Sequence, residues 1–102
     1  MTYVDGFVMA VPKSNKQQFI EHARTGDAVF LEQGATRVLE CWADDVPDGT
    51  LTDFRKAVQA NGDETVVFSW MEYPDKATYD TANKKMKDDL RMKEMFSNMP
   101  FD

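Results

Sequence analysis

Apolar and polar side chains alternate along three stretches of the chain, and between them apolar residues recur every three to four positions. From Tyr3 to Val11, Tyr3, Asp5, Phe7, Met9 and Val11 share one face, and Val4, Gly6, Val8 and Ala10 share the other, which predicts a strand. The second face is built of smaller residues and is expected to let a helix approach closely. Pro12 ends the pairing because it has no N–H to donate. Ser14 followed by Gln17 predicts a capping box that opens a helix to about Gln33, with Phe19, Ile20, Ala23, Phe30 and Leu31 as its apolar stripe. Gly26-Asp27 interrupts that stripe, and glycine in a helix interior costs about 1 kcal/mol against alanine. Gly34 is placed to supply a left-handed C-cap.

Ala35 to Ala43 predicts a second strand, with Val38, Glu40 and Trp42 facing opposite Leu39, Cys41 and Ala43. Val46-Pro47-Asp48-Gly49 is turn chemistry, and a short helix is expected over Thr52–Ala60, with Arg55 and Lys56 outward. Glu64 to Tyr73 is the third strand, stopped by Pro74. Asp75 then caps a second long helix with Ala82, Met86 and Leu90 inward, and an apolar tail follows from Arg91 to Asp102. The order β-α-β-(short α)-β-α predicts an α+β fold, a ferredoxin-like β-α-β-β-α subunit with an antiparallel sheet and no obvious fourth strand. Two strands end in Trp followed by an acid, and large aromatics stand on both faces. Helices cover one sheet face. A second copy of the same sheet is expected to cover the other, because two-fold dimers are the commonest closed oligomers.

The 102 residues predict one domain, 1–102, with room for a single core. Twelve basic against 18 acidic residues leave a net charge of −6, which argues against nucleic acid as a partner. The Lys and Arg of residues 76–93 alternate with Asp80, Asp88 and Asp89, as a solvated helix face does. Apolar runs are too short to span a bilayer, and the first residues carry no basic region followed by a greasy stretch, so no membrane partner and a cytoplasmic location are expected. A single cysteine, Cys41, excludes an internal disulfide and a multi-cysteine zinc site.

Tyr-Val-Asp-Gly-Phe-Val at 3–8, Glu-Cys-Trp-Ala-Asp-Asp-Val-Pro-Asp-Gly at 40–49, Thr-Asp-Phe-Arg-Lys-Ala-Val at 52–58, Val-Val-Phe-Ser-Trp at 66–70 and Arg-Met-Lys-Glu-Met at 91–95 resemble the YbaA-like family. This is a family of small bacterial proteins classed as a domain of unknown function. The resemblance implies the dimeric α/β-barrel superfamily, in which two ferredoxin-like subunits press their sheets together. It also implies that the chain continues past Asp102 into a fourth, short strand. It assigns no catalytic residue, and a fold does not choose an activity.

Glu40, Trp42, Trp70 and Glu72 form the first candidate constellation: if the second and third strands pair, both Trp-acid ends could line one cavity at the dimer interface. Carboxylates in an apolar cavity have raised pKa values and relay protons. His22, the only histidine, is a candidate general base on the first helix, and Arg55 a candidate clamp for an anionic group. Asp44, Asp45 and Asp48 fit no EF-hand spacing and read as turn and capping residues, so neither a metal nor a cofactor is expected. The leading functional expectation is a homodimeric α/β-barrel protein that binds a small molecule between its sheets. The alternatives are a cofactor-independent enzyme, oxygenase- or isomerase-like, with Glu40 or Glu72 as base, and a purely structural interaction module.

Overall fold

A computed structural model describes residues 1–101; Asp102, the last residue of the predicted tail, lies outside the described residues. The chain runs β1 (Tyr3–Pro12), a 3-10 turn (Lys13–Asn15), α1 (Lys16–Glu32), β2 (Arg37–Trp42), α2 (Phe54–Ala57), β3 (Glu64–Tyr73), α3 (Lys76–Met86) and α4 (Leu90–Ser97). The third strand spans the predicted residues, because Gly62 and Pro74 bracket an uninterrupted run of β-formers. β3 is the central strand, paired antiparallel to β1 on one side and β2 on the other.

This is a small antiparallel sheet with flanking helices in a ferredoxin-like arrangement. It is not a barrel. β1 and β2 are the two edges of an open three-stranded sheet, so the expected dimeric α/β barrel, and a ligand pocket enclosed between two pressed sheets, are not what the chain builds. The aromatics on the far face have a cover that the chain itself supplies. α2 lies on the side away from α1, where Phe54 meets Phe68 edge-on at 6.0 Å and Phe68 meets Trp70 at 5.4 Å.

The register decides which face is which. Val11, Met9 and Phe7 stand opposite Thr65, Val67 and Ser69, and Trp42 and Glu40 stand opposite Val67 and Ser69. These residues face α1, where Val11, Val67 and Phe19 form one buried cluster. A second cluster joins Val29 and Ala35 to Met71, Tyr73, Ala82, Met86 and Met92. The small-residue face of β1, with Val4 56% exposed, therefore points away from α1, the reverse of the expectation. Both faces are apolar, so alternation alone could not tell which would receive the helix. Burial of Phe19 and Val29 is better served by the larger residues of the other face.

Helix ends follow local chemistry with one exception. Asp53, Asp75 and Asp89 each accept a backbone N–H of the following turn, capping α2, α3 and α4. The expected Ser14 capping box does not form. Asn15 takes the N-cap position without a side-chain cap, and its Nδ2 instead donates to the Pro100 carbonyl at 2.8 Å, fastening the tail. The long second helix also breaks: α3 ends at Met86, Asp89 starts α4, and Leu90, expected inward, is 73% exposed. The tail folds back as α4 against α1, where Arg91 pairs with Glu32 at 2.6 Å and Asp89 at 3.0 Å.

α1 ends as predicted. Gly34 has φ +117°, the Gly34 N–H donates to Leu31, and the Ala35 N–H reaches back to Phe30. A Cβ at Gly34 would also meet Thr78 Cγ2 at 2.7 Å, where α3 starts. Gly34→Ala should therefore destabilise the fold by about 1–3 kcal/mol, read as a lowered urea midpoint with unchanged m-value. An unchanged midpoint would mean that this C-cap does not hold α1 to α3.

Candidate functional site

A cavity of about 410 Å³ lies between α1, α4 and the sheet. It exists because small residues meet there: Ala23 and Gly26 on the inward face of α1, and Ser69 at the centre of β3. Larger side chains close around this space, with Phe7 and Met9 from β1, Phe19 and Phe30 from α1, and Met71 from β3. Met92, Met95 and Phe96 of α4, followed by Met99 and Phe101, complete the wall. Gly26 leaves room for that closure, since a Cβ there would stand 2.6 Å from Cε at the flexible end of Met95.

The polar groups in this apolar wall converge. Glu40 is opposite Ser69 in the β2–β3 register, and the buried Ser69 hydroxyl donates to Glu40 Oε2. Across from them the Asp27 carboxyl is hydrogen-bonded to Glu40. Two carboxyl groups this close cannot both ionise cheaply. Burial first, then the hydrogen bond to Glu40 and its negative charge, pushes Asp27 up to about 8. Asp27 is thereby held towards its protonated form at neutral pH. His22 borders the same cavity, edge-on to Phe101 at 5.8 Å. Burial lowers its pKa, with Glu40 pulling the other way, so the imidazole is neutral at pH 7.

Asp27 and Glu40 also border a second cleft, of about 250 Å³, on the outer side of the pair. Trp42, Lys16 and Arg24 line it, and Lys16 Nζ sits over the Trp42 ring at 5.3 Å. The carboxyl pair thus stands between the Phe- and Met-lined cavity and the cleft of Lys16, Arg24 and Trp42.

Of the residues singled out in the sequence, the structure gathers only some. Glu40 and His22 border the cavity, and Trp42 packs on Phe19 at 6.0 Å in the neighbouring cleft. Trp70 and Glu72 are on the opposite sheet face, because the pairing sets Leu39 against Trp70 and Arg37 against Glu72. The two Trp-acid ends therefore share no cavity. Glu72 instead accepts the Trp70 indole N–H at 3.1 Å and lies 3.8 Å from Arg37. Arg55 donates to the backbone carbonyls of Glu64 at 3.0 Å and Asn61 at 2.7 Å, so it braces the turn before β3. Among the described residues no group of three or more His, Cys, Asp or Glu is arranged to hold a metal. No helix among them is long and apolar enough to cross a membrane.

Sequence reasoning missed Asp27 and Ser69. Asp27 carried a usable signal, since it lies four residues after Ala23 and three before Phe30, on the inward stripe of α1. An acid at such a position needs a partner, and the partner came from β2.

Because the folded-state pKa of Asp27 lies above its unfolded value, the native state binds the extra proton between pH about 4 and about 8. Its contribution to stability is complete below that window and is lost as pH rises through it. Asp27→Asn removes this loss. Urea midpoints measured from pH 5 to pH 9 should fall more steeply for the unmodified protein than for Asp27→Asn. Parallel profiles would mean that Asp27 is not protonated in the fold.

Comparison with known proteins agrees over the whole chain. The sequence profile of the DUF1428 family, described as a protein of unknown function, matches residues 2–102. "Uncharacterized protein YbaA" of Escherichia coli strain K12 is 57% identical over 102 residues, covering 100% of this chain and 87% of its own length. The protein of the same name from Shigella flexneri matches to the same extent. At that identity and coverage, the chain belongs to the DUF1428 family.

Proposed function

We propose that this chain binds a small, largely apolar molecule inside a single subunit, in the cavity between α1, α4 and the sheet. The observation that carries this reading is one hydrogen-bonding station, Asp27 with Glu40, set in a wall otherwise made mainly of Phe and Met. Ligand sites are of this kind: mostly apolar, of several hundred Å³, with few polar groups that fix orientation. The Asp27–Glu40 bond takes the one proton of the pair, and the remaining oxygen lone pairs can accept from a donor group on the ligand. Methionine on α4 suits the role, since its unbranched, polarisable side chain adapts to the shape of what it covers.

Five of the seven methionines, Met9, Met71, Met92, Met95 and Met99, border the cavity, while Met1 and Met86 do not. With methyl-labelled methionine, 2-phenylethanol should shift the first five signals saturably and leave Met1 and Met86 in place. Ala23→Phe, which fills the space from α1, should abolish the shifts while the protein stays folded. Shifts that survive Ala23→Phe, or none in the unmodified protein, would refute binding in this cavity.

A further inference from the structure

We propose that the cavity between α1 and α4 holds a site for a soft monovalent cation, Cu(I) or Ag(I), bound by the His22 imidazole and the thioethers of Met9, Met95 and Met99. The site stands independently of the apolar ligand proposed above.

Three contacts set the tail antiparallel to α1. Arg91 meets Glu32 at the end of α1, and Met95 Sδ lies 3.4 Å from where a Cβ of Gly26 would stand. Asn15, just before α1, takes the Pro100 carbonyl at 2.8 Å. Met99 is therefore bracketed between Met95 on Gly26 and Phe101, whose ring meets His22 at 5.8 Å and Phe19 at 5.9 Å. Gly26 and His22 are four residues apart on α1, so they share a face. Met9 reaches the same end from β1, where it packs with Phe101 against the cluster of Val11, Phe19 and Val67. All four donors border the one cavity.

Thioether sulfur is a soft, polarisable donor that favours Cu(I), and imidazole complements it. Such a set differs from the His, Cys, Asp and Glu clusters that hold harder metals, of which the described residues have none. His22 has a lone pair to give: burial keeps the ring neutral, and no hydrogen bond found among the described residues takes either nitrogen. The donors are also within reach of solvent. Met99 is 38% exposed, and Met9, His22 and Met95 are half-buried, whereas Met71 and Met92 are buried. If this end served packing alone, leucine would fill it with a smaller loss of side-chain entropy.

The test uses Ag(I), the redox-inert stand-in for Cu(I), added as nitrate in chloride-free buffer to methyl-labelled Cys41→Ser protein. The exposed Cys41 thiol would otherwise capture the ion. About one Ag(I) per chain is expected to bind, shifting the methyls of Met9, Met95 and Met99 and the His22 ring signals while Met1 and Met86 stay in place. Zn(II), which takes thiolates, imidazoles and carboxylates, should shift none of them. Met95→Leu and Met99→Leu conserve volume and leave the protein folded, and each should weaken Ag(I) binding about 10-fold or more. Shifts at Met1 as large as those in the cavity would show surface thioether affinity only and overturn the site. Ag(I) binding undiminished in both leucine variants, equal binding of Zn(II), or no shift at all would overturn it too. The apolar-ligand reading is reported separately by 2-phenylethanol, so either can fail without the other.

Discussion

The pairing of β3 with both of its neighbours is the constraint from which the rest of the structure follows. A strand sends successive side chains to opposite faces, so once Ser69 stands between Phe7 and Glu40, every other residue of the three strands is assigned a side. That row places a hydroxyl and a carboxylate at the centre of the helix-covered face. It also sends Trp70 and Glu72 to the other side, where they bond to each other and to Arg37. A slip of one residue would exchange the two sets and dismantle the cavity.

The second determinant is the lack of bulk along α1. Ala23 and Gly26 bring the helix near the sheet without filling the space beneath it, and Gly26 admits Met95 of α4. The tail is then both structure and lid. Asn15 holds Pro100, Phe101 packs on Phe19 and His22, and Arg91 ties the start of α4 to the end of α1. Exposed ion pairs of this sort contribute little stability each, and their value here is to set where α4 lies. At the rim of the same interface half-buried Asp27 lies beside Glu40, and burial and that neighbour hold its pKa well above that of a lone surface aspartate.

Local chemistry was legible wherever a few neighbouring residues decide it. The Gly34 C-cap, the Asp75 N-cap and the limits of β3 all follow from residue types within a turn of one another. The Ser14 capping box was a local expectation too, and it does not form, because Ser14 lies inside the 3-10 turn and Asn15 stands at the N-cap. Glu40 and His22 were recognisable as unusual. Their companions were not, because Asp27 is 13 residues from Glu40 in the numbering and Ser69 is 29 beyond it.

By itself the sequence determined the element types, most of their limits and the order strand, helix, strand, strand, helix. These depend on the period of apolar residues and on caps and turns, which are interactions along the chain. It also determined family membership, through segments shared along its length. Tertiary structure alone decided which sheet face receives α1, that the sheet stays open, and that Asp27, Glu40 and Ser69 meet. Both faces of β1 and β3 are apolar, so local preference is nearly balanced between them. The balance is tipped by packing between residues far apart in the chain, and no local pattern encodes that.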